Sequence, residues 1–126
     1  MSTAPPLIAI VDDEEAVRRA LKRLIRSAGL EVETFDSGAG FLDSLASRRP
    51  DCVVLDLHMP QVNGFQVQSW MGQMRDPVPV VVITGQDSDE NHQRAIEGGA
   101  MAYLRKPVDE QVLLAALANA IGRVKR

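Results

Sequence analysis

The sequence is poor in the residues that build disulfide or zinc scaffolds. Cys52 is the single cysteine, and His58 and His92 are the only histidines. That excludes an internal disulfide, a cysteine zinc site and a histidine-rich metal site. Aromatic residues make up 4% of the chain, with one tryptophan and one tyrosine, so aliphatic side chains must supply most of the core. Apolar runs such as those at 80–83 and 113–118 fall far short of the ~18 residues a membrane span requires. Residues 1–6 have no basic start and no long apolar stretch, so nothing directs export and a cytoplasmic location is expected. Excess charge is also small: 14 Lys and Arg against 17 Asp and Glu leave −3. That mild acidity argues against direct nucleic-acid binding.

What is present is an ordinary globular composition, 45% hydrophobic and 25% charged over 126 residues. This predicts one domain over 1–126, with a core at about 7–122. Two kinds of segment alternate along it. Residues 7–11 form a short apolar run of strand length, rich in β-branched side chains. Val17, Ala20, Leu21, Leu24, Ile25 and Ala28 then recur at helical spacing, with Gly29 as the stop. Residues 30–35 read as a less buried strand, and Ser37 caps a helix carrying Phe41, Leu42 and Leu45. Residues 52–55 are a third apolar run, followed by a loop and by Val67, Trp70, Met71 and Met74, whose spacing places them in a core. Residues 79–83 suit a sheet interior. A polar helix at 88–97, anchored only by Ala95 and Ile96, precedes a short strand at 101–104. Asp109 caps a last helix striped by Leu113, Ala116, Leu117, Ala120 and Ile121, and 122–126 read as the start of a linker. Five β-α units in series predict an α/β fold, a parallel sheet with helices on both faces.

Polar residues stand just after four of the predicted strands: Asp12 and Asp13, Asp56, Thr84, and Lys106. In a parallel sheet the carboxyl ends of the strands share one edge, where ligand sites lie. Carboxylates gathered there repel one another unless a cation sits among them. An all-oxygen donor set suits a hard divalent cation, Mg²⁺ above all, with Mn²⁺ as the substitute. A cation, a hydroxyl and an ammonium together suit a transferring phosphoryl group, and a carboxylate can itself accept that group.

The motifs Ile10-Val-Asp-Asp13, Val54-Leu-Asp-Leu-His-Met-Pro60 with Asn63-Gly64, Val82-Ile-Thr-Gly85 and Tyr103-Leu-Arg-Lys-Pro107 stand in this order along nearly the whole chain. The set resembles the receiver domain of two-component response regulators, with Phe35-Asp-Ser and Phe41-Leu42 closer to receivers joined to helix-turn-helix domains. No such effector is expected in this chain. The resemblance implies a flavodoxin-like (βα)5 fold, doubly wound, with strand order 2-1-3-4-5. It implies Asp56 as phosphoacceptor, and Asp12, Asp13, Asp56 and the His58 backbone carbonyl as metal ligands. Thr84 and Lys106 would bind the phosphoryl group, with Gly85 beside Thr84 in its loop. Tyr103 would be a switch aromatic, and Lys106-Pro107 a cis peptide. The implied partner is a sensor histidine kinase or phosphotransfer protein. A homodimer would form through the fourth helix, last strand and last helix, and catalysis would be limited to the chain's own phosphoryl transfer and loss.

Each site residue also has a plainer reading. Asp12 followed by Glu15 matches a helix-capping pattern, Asp56 and Thr84 suit turns, and Lys106 suits a solvated surface. Arg18, Arg19, Lys22, Arg23 and Arg26 suit a solvated helix face, although Arg18 and Arg19 also lie where a phosphodonor would dock. What favours function is the occurrence of all four site clusters at strand ends. A haloacid-dehalogenase-like phosphatase needs an Asp-x-Asp pattern after the first strand, which Asp12-Asp13-Glu14 does not supply. A flavodoxin-like FMN carrier needs a phosphate loop where two acids stand here.

Overall fold

The computed structural model describes residues 4–124. Ten elements alternate: β1 (Leu7–Val11), α1 (Glu15–Ser27), β2 (Glu31–Phe35), α2 (Gly38–Ser44), β3 (Cys52–Asp56), α3 (Gly64–Gly72), β4 (Val80–Thr84), α4 (Asp89–Glu97), β5 (Ala102–Arg105) and α5 (Glu110–Val124). The strands form one sheet in the order β2-β1-β3-β4-β5, and every pairing is parallel. This is the doubly wound α/β architecture expected.

The pleat sorts strand side chains onto two cores. Ala9, Val11, Val53, Leu55, Val80 and Val82 face the layer that holds Phe41 of α2, Val67 and Met71 of α3 and Ala95 of α4. Ile8, Ile10, Cys52, Val54, Val81 and Ile83 face α1 and α5 through Leu21, Ile25, Leu113, Leu117 and Ala120. With helices on both faces, β1, β3 and β4 are buried along their whole length, which is why they read as continuous apolar runs. The edge strand β2 is only partly covered.

Several local expectations need correction. Trp70 is 64% exposed and lies outside the core, because the apolar face of α3 is filled by Val67 and Met71. Ala20 and Ala28 of the α1 stripe are exposed, while Leu21 and Ile25 carry its burial. Asp12 and Glu15 form no capping box; the N-cap is Glu14, and no side chain bonds the first turn. α5 runs on through Gly122 to Val124 where a linker start was expected, and 125–126 lie outside the described residues. Ser37 and Ser88 do cap α2 and α4, Asp109 Oδ1 accepts from Val112 N at 3.0 Å, and Gly29 takes the left-handed φ of 87° that ends α1.

The turn into α3 is a tight constraint behind the acceptor strand. Asn63 and Gln66 form a reciprocal capping box, and Gly64 N donates to Leu57 O at 2.9 Å. A β-carbon on Gly64 would lie 2.5 Å from Asp56 O and 2.7 Å from Leu57 Cα, both backbone atoms. Gly64→Ala is therefore expected to destabilise the protein by roughly 1–3 kcal/mol. Gly72→Ala, with open space around it, should be neutral or mildly stabilising. Thermal denaturation of the two variants checks the contrast.

Candidate functional site at the carboxyl edge of the sheet

Strand register builds the site. Val11 pairs Leu55, Asp56 pairs Ile83 and Thr84 pairs Arg105. The strands therefore end nearly level, and the next residue of each chain segment emerges at the same edge. Asp12 leaves β1, Asp56 and Thr84 close β3 and β4, and Lys106 follows β5. The edge lies where strand order reverses between β1 and β3, the usual position of ligand sites in such sheets.

Carboxylate oxygens of Asp12, Asp13 and Asp56 lie within 4.8 Å of one another. Asp12 and Thr84 are fully buried, Asp56 almost so, and Asp13 is exposed. Lys106 Nζ reaches into the group, 2.8 Å from Asp12 Oδ2, 3.0 Å from Glu14 Oε1 and 3.5 Å from Asp56 Oδ1. Three carboxylates thus face one ammonium, and Asp13 stands in the same acidic group. Burial alone would lower the Lys106 pKa, but Asp12, Glu14 and Asp56 outweigh it and raise the value, keeping the amine charged. Burial also pushes the Asp56 carboxyl up to about 6, and the charge of Asp12 adds to that, with Lys106 and the His58 N–H opposing.

The acids fit a hard cation. Asp12 Oδ1 is taken by the Glu14 N–H at 2.9 Å. Its buried Oδ2 lies at ion-pair distance from Lys106 but accepts no aligned hydrogen bond among the described residues, so it retains donor capacity for a metal. The neighbouring shell is polar. Thr84 Oγ1 accepts from Gln86 N at 3.0 Å, His58 N donates weakly to Asp56 Oδ1 at 3.4 Å, and the Lys106–Pro107 peptide is cis. Gly85 is exposed, 3.8 Å from the Lys106 stem where its β-carbon would stand. Tyr103 is half-buried; its hydroxyl donates to Asp87 Oδ1 at 2.9 Å and its ring stacks on His92.

The structure thus brings Asp12, Asp13, Asp56 and Lys106 together, places Thr84 at the end of the neighbouring strand and leaves Tyr103 outside the acidic cluster. Sequence reasoning missed Glu14, whose only signal was a third acid beside Asp12-Asp13. It also missed Asn91, which donates to Gln86 O at 2.8 Å and lies 3.3 Å from His58 Nε2. Arg18, expected with Arg19 where a phosphodonor would dock, donates to Asp12 O at 2.8 Å.

The comparisons with known proteins agree with this geometry. The family model of the response regulator receiver domain matches residues 8–118, and the chain belongs to that family, the receivers of two-component systems. Response regulator protein TmoT of Ectopseudomonas mendocina is 35% identical over 121 residues, 96% of this chain and 55% of that protein. Response regulator MprA of Mycobacterium avium is 37% identical over 118 residues, 94% of this chain and 52% of its own. The chain therefore spans about half the length of the curated relatives it matches. Among solved structures, response regulator StyR is 40% identical with a TM-score of 0.83, over 94% of this chain and 60% of that one. Chemotaxis protein CheY4 of Vibrio cholerae is 28% identical with a TM-score of 0.84, over 93% and 99%.

The burial of Asp56, with the charge of Asp12 beside it, predicts a stability effect with a defined sign. A carboxyl raised from 3.8 to about 6 favours the fold only while protonated. Its contribution is present below the unfolded value and is lost as pH rises through the folded one. In metal-free buffer, Asp56→Asn should exceed the wild type by roughly 1–3 kcal/mol near pH 7. That advantage should shrink towards about pH 4, as thermal denaturation across this window checks.

Proposed function

We propose that the chain is a single receiver module that takes a phosphoryl group onto Asp56, with Mg²⁺, from a phosphohistidine. The observation that carries this reading is the convergence of Asp12, Asp13 and Asp56, with the Lys106 ammonium against Asp12 and Asp56. Asp56 ends β3 inside the group and is a carboxyl more basic than usual. Near neutral pH it is mostly ionised, yet more nucleophilic than an ordinary aspartate.

In the transfer, an Asp56 carboxylate oxygen attacks phosphorus, the P–N bond to the donor imidazole breaks, and its electron pair leaves with the ring. Asp12, Asp13, Asp56 and the His58 backbone carbonyl would hold the cation, for which Mn²⁺ is a substitute. When bound, it neutralises charge on the phosphoryl oxygens. Lys106 exchanges part of its contact with Asp12 and Glu14 for a phosphoryl oxygen. The Thr84 hydroxyl turns to donate to another oxygen and releases Gln86 N, which frees the Gly85–Gln86 turn to shift. Tyr103, tied to Asp87 and stacked on His92, is placed to answer that movement.

The donor is a sensor histidine kinase or phosphotransfer protein, and chemistry is confined to the chain's own phosphoryl transfer and loss. We place the chain's action in the cytoplasm; among the described residues no helix is long and apolar enough to cross a membrane. The output face is α4, β5 and α5, through which a second copy would pair. Ile96 of α4 and Val112 of α5 support it, as large apolar side chains 47% and 49% exposed. No role in contacting nucleic acid is assigned to this acidic chain itself.

The test is incubation with acetyl phosphate and Mg²⁺, read by intact mass. The wild type should gain one phosphoryl group, labile to hydroxylamine, and Asp56→Asn should gain none. Equal labelling of both proteins, or of neither, would refute the assignment.

A further inference from the structure

α4 is held to the molecule by polar contacts more than by apolar ones. Ala95 is its single buried residue, and Ile96 points outward. Asn91, Arg94, Ala95 and Gly98 recur at intervals of three and four, which puts them on one side of the helix. Asn91 meets His58 and Gln86 O beside the acceptor. Arg94 lies over the Phe65 ring of α3, 3.9 Å from its centroid.

The contact between Ala95 and α3 is unusual. Gln68 is 4% exposed, and its Nε2 donates to Ala95 O at 2.9 Å. Its Oε1 has no hydrogen-bond partner among the described residues. A buried amide with one bond made and one acceptor unsatisfied gives little net stabilisation, and an apolar side chain of similar shape would serve the core as well. The facing residue of the α4 C-cap is Gly98, where a β-carbon would stand 3.0–3.2 Å from the outer atoms of the Gln68 amide. The absence of a side chain on one helix therefore leaves room for the amide of the other.

We infer that Gln68 is a latch: a positioning residue that holds α4 against α3, and through α4 holds Asn91 on His58 and Gln86. Its bond is weak enough to open without unfolding the sheet. The regulatory part of this inference rests on Asp56 being the acceptor. Drawing Thr84 Oγ1 away from Gln86 N moves the residue whose carbonyl Asn91 grips, so a filled site and a closed latch oppose one another.

Amide exchange over α4 tests the latch with no phosphoryl group present. In Gln68→Met, exchange across 89–97 should be about fivefold faster than in the wild type, the effect of one buried hydrogen bond. Exchange in β1, β3 and β4 and the thermal midpoint should stay unchanged. Gly98→Ala should also accelerate α4, opposite to the slowing that helix propensity alone gives, and that acceleration should vanish in a Gln68→Ala background. Unchanged α4 exchange in Gln68→Met, or acceleration of all elements alike, would overturn the latch.

Beryllium fluoride with Mg²⁺, a phosphoryl mimic, tests the coupling. It should bind Gln68→Met about fivefold more tightly than wild type, by linkage. Equal affinity would overturn the coupling. Binding to neither protein, with α4 still freed in Gln68→Met, would instead refute Asp56 as acceptor while supporting the latch.

Discussion

The structure depends on the confinement of like charge. Asp12, Asp13 and Asp56 gather at the end of an otherwise aliphatic sheet, where one lysine pairs with Asp12, Asp56 and Glu14. In water such acids would lie apart; here the register of a parallel sheet leaves them no freedom to separate. The repulsion is partly relieved by Lys106, and burial together with the charge of Asp12 leaves the Asp56 carboxyl raised. A divalent cation and a phosphoryl group would relieve the remainder, so the same crowding that costs stability gives the site its appetite for ligands.

The burial pattern explains why so much of this was legible in the sequence. A strand covered on both faces must be apolar throughout, so Val80–Thr84 and Cys52–Asp56 announced themselves as runs ending in a polar residue. Once those runs were taken as parallel strands, Asp12, Asp56, Thr84 and Lys106 had to share an edge. Family resemblance then supplied what spacing could not, the strand order and the roles of individual groups.

What stayed hidden is instructive. Trp70 has helical spacing with Val67 and Met71, but a short helix on a sheet buries only a narrow stripe, and its largest side chain lies outside it. Glu14 and Asn91 carry no periodic signal, since Glu14 acts through a contact with Lys106 across the fold and Asn91 through His58 and the nearby Gln86 carbonyl. Gln68 is harder still. A glutamine between apolar helix positions reads as surface, and its enclosure against Ala95 O and Gly98 shows only in the fold. Asp12 is a different case, for its local pattern also fits a helix cap while its side chain serves the lysine and the loop.

α4 is the element on which these observations meet. The sheet and the other helices are fixed by two aliphatic cores, whereas α4 is joined through an amide, a guanidinium over a ring and an asparagine next to the acceptor loop. Elements with few buried apolar contacts open most readily, and here the readily opened helix is the one in contact with the site's surroundings.

The central claim, that the gathered acids form a site for a hard divalent cation, is tested most directly by titrating Mg²⁺ into the wild type and Asp13→Asn. The account predicts that one ion binds the wild type and raises its thermal midpoint with concentration. Asp13→Asn should lose most of both effects. A wild-type midpoint indifferent to Mg²⁺, or an equal response from Asp13→Asn, would contradict it.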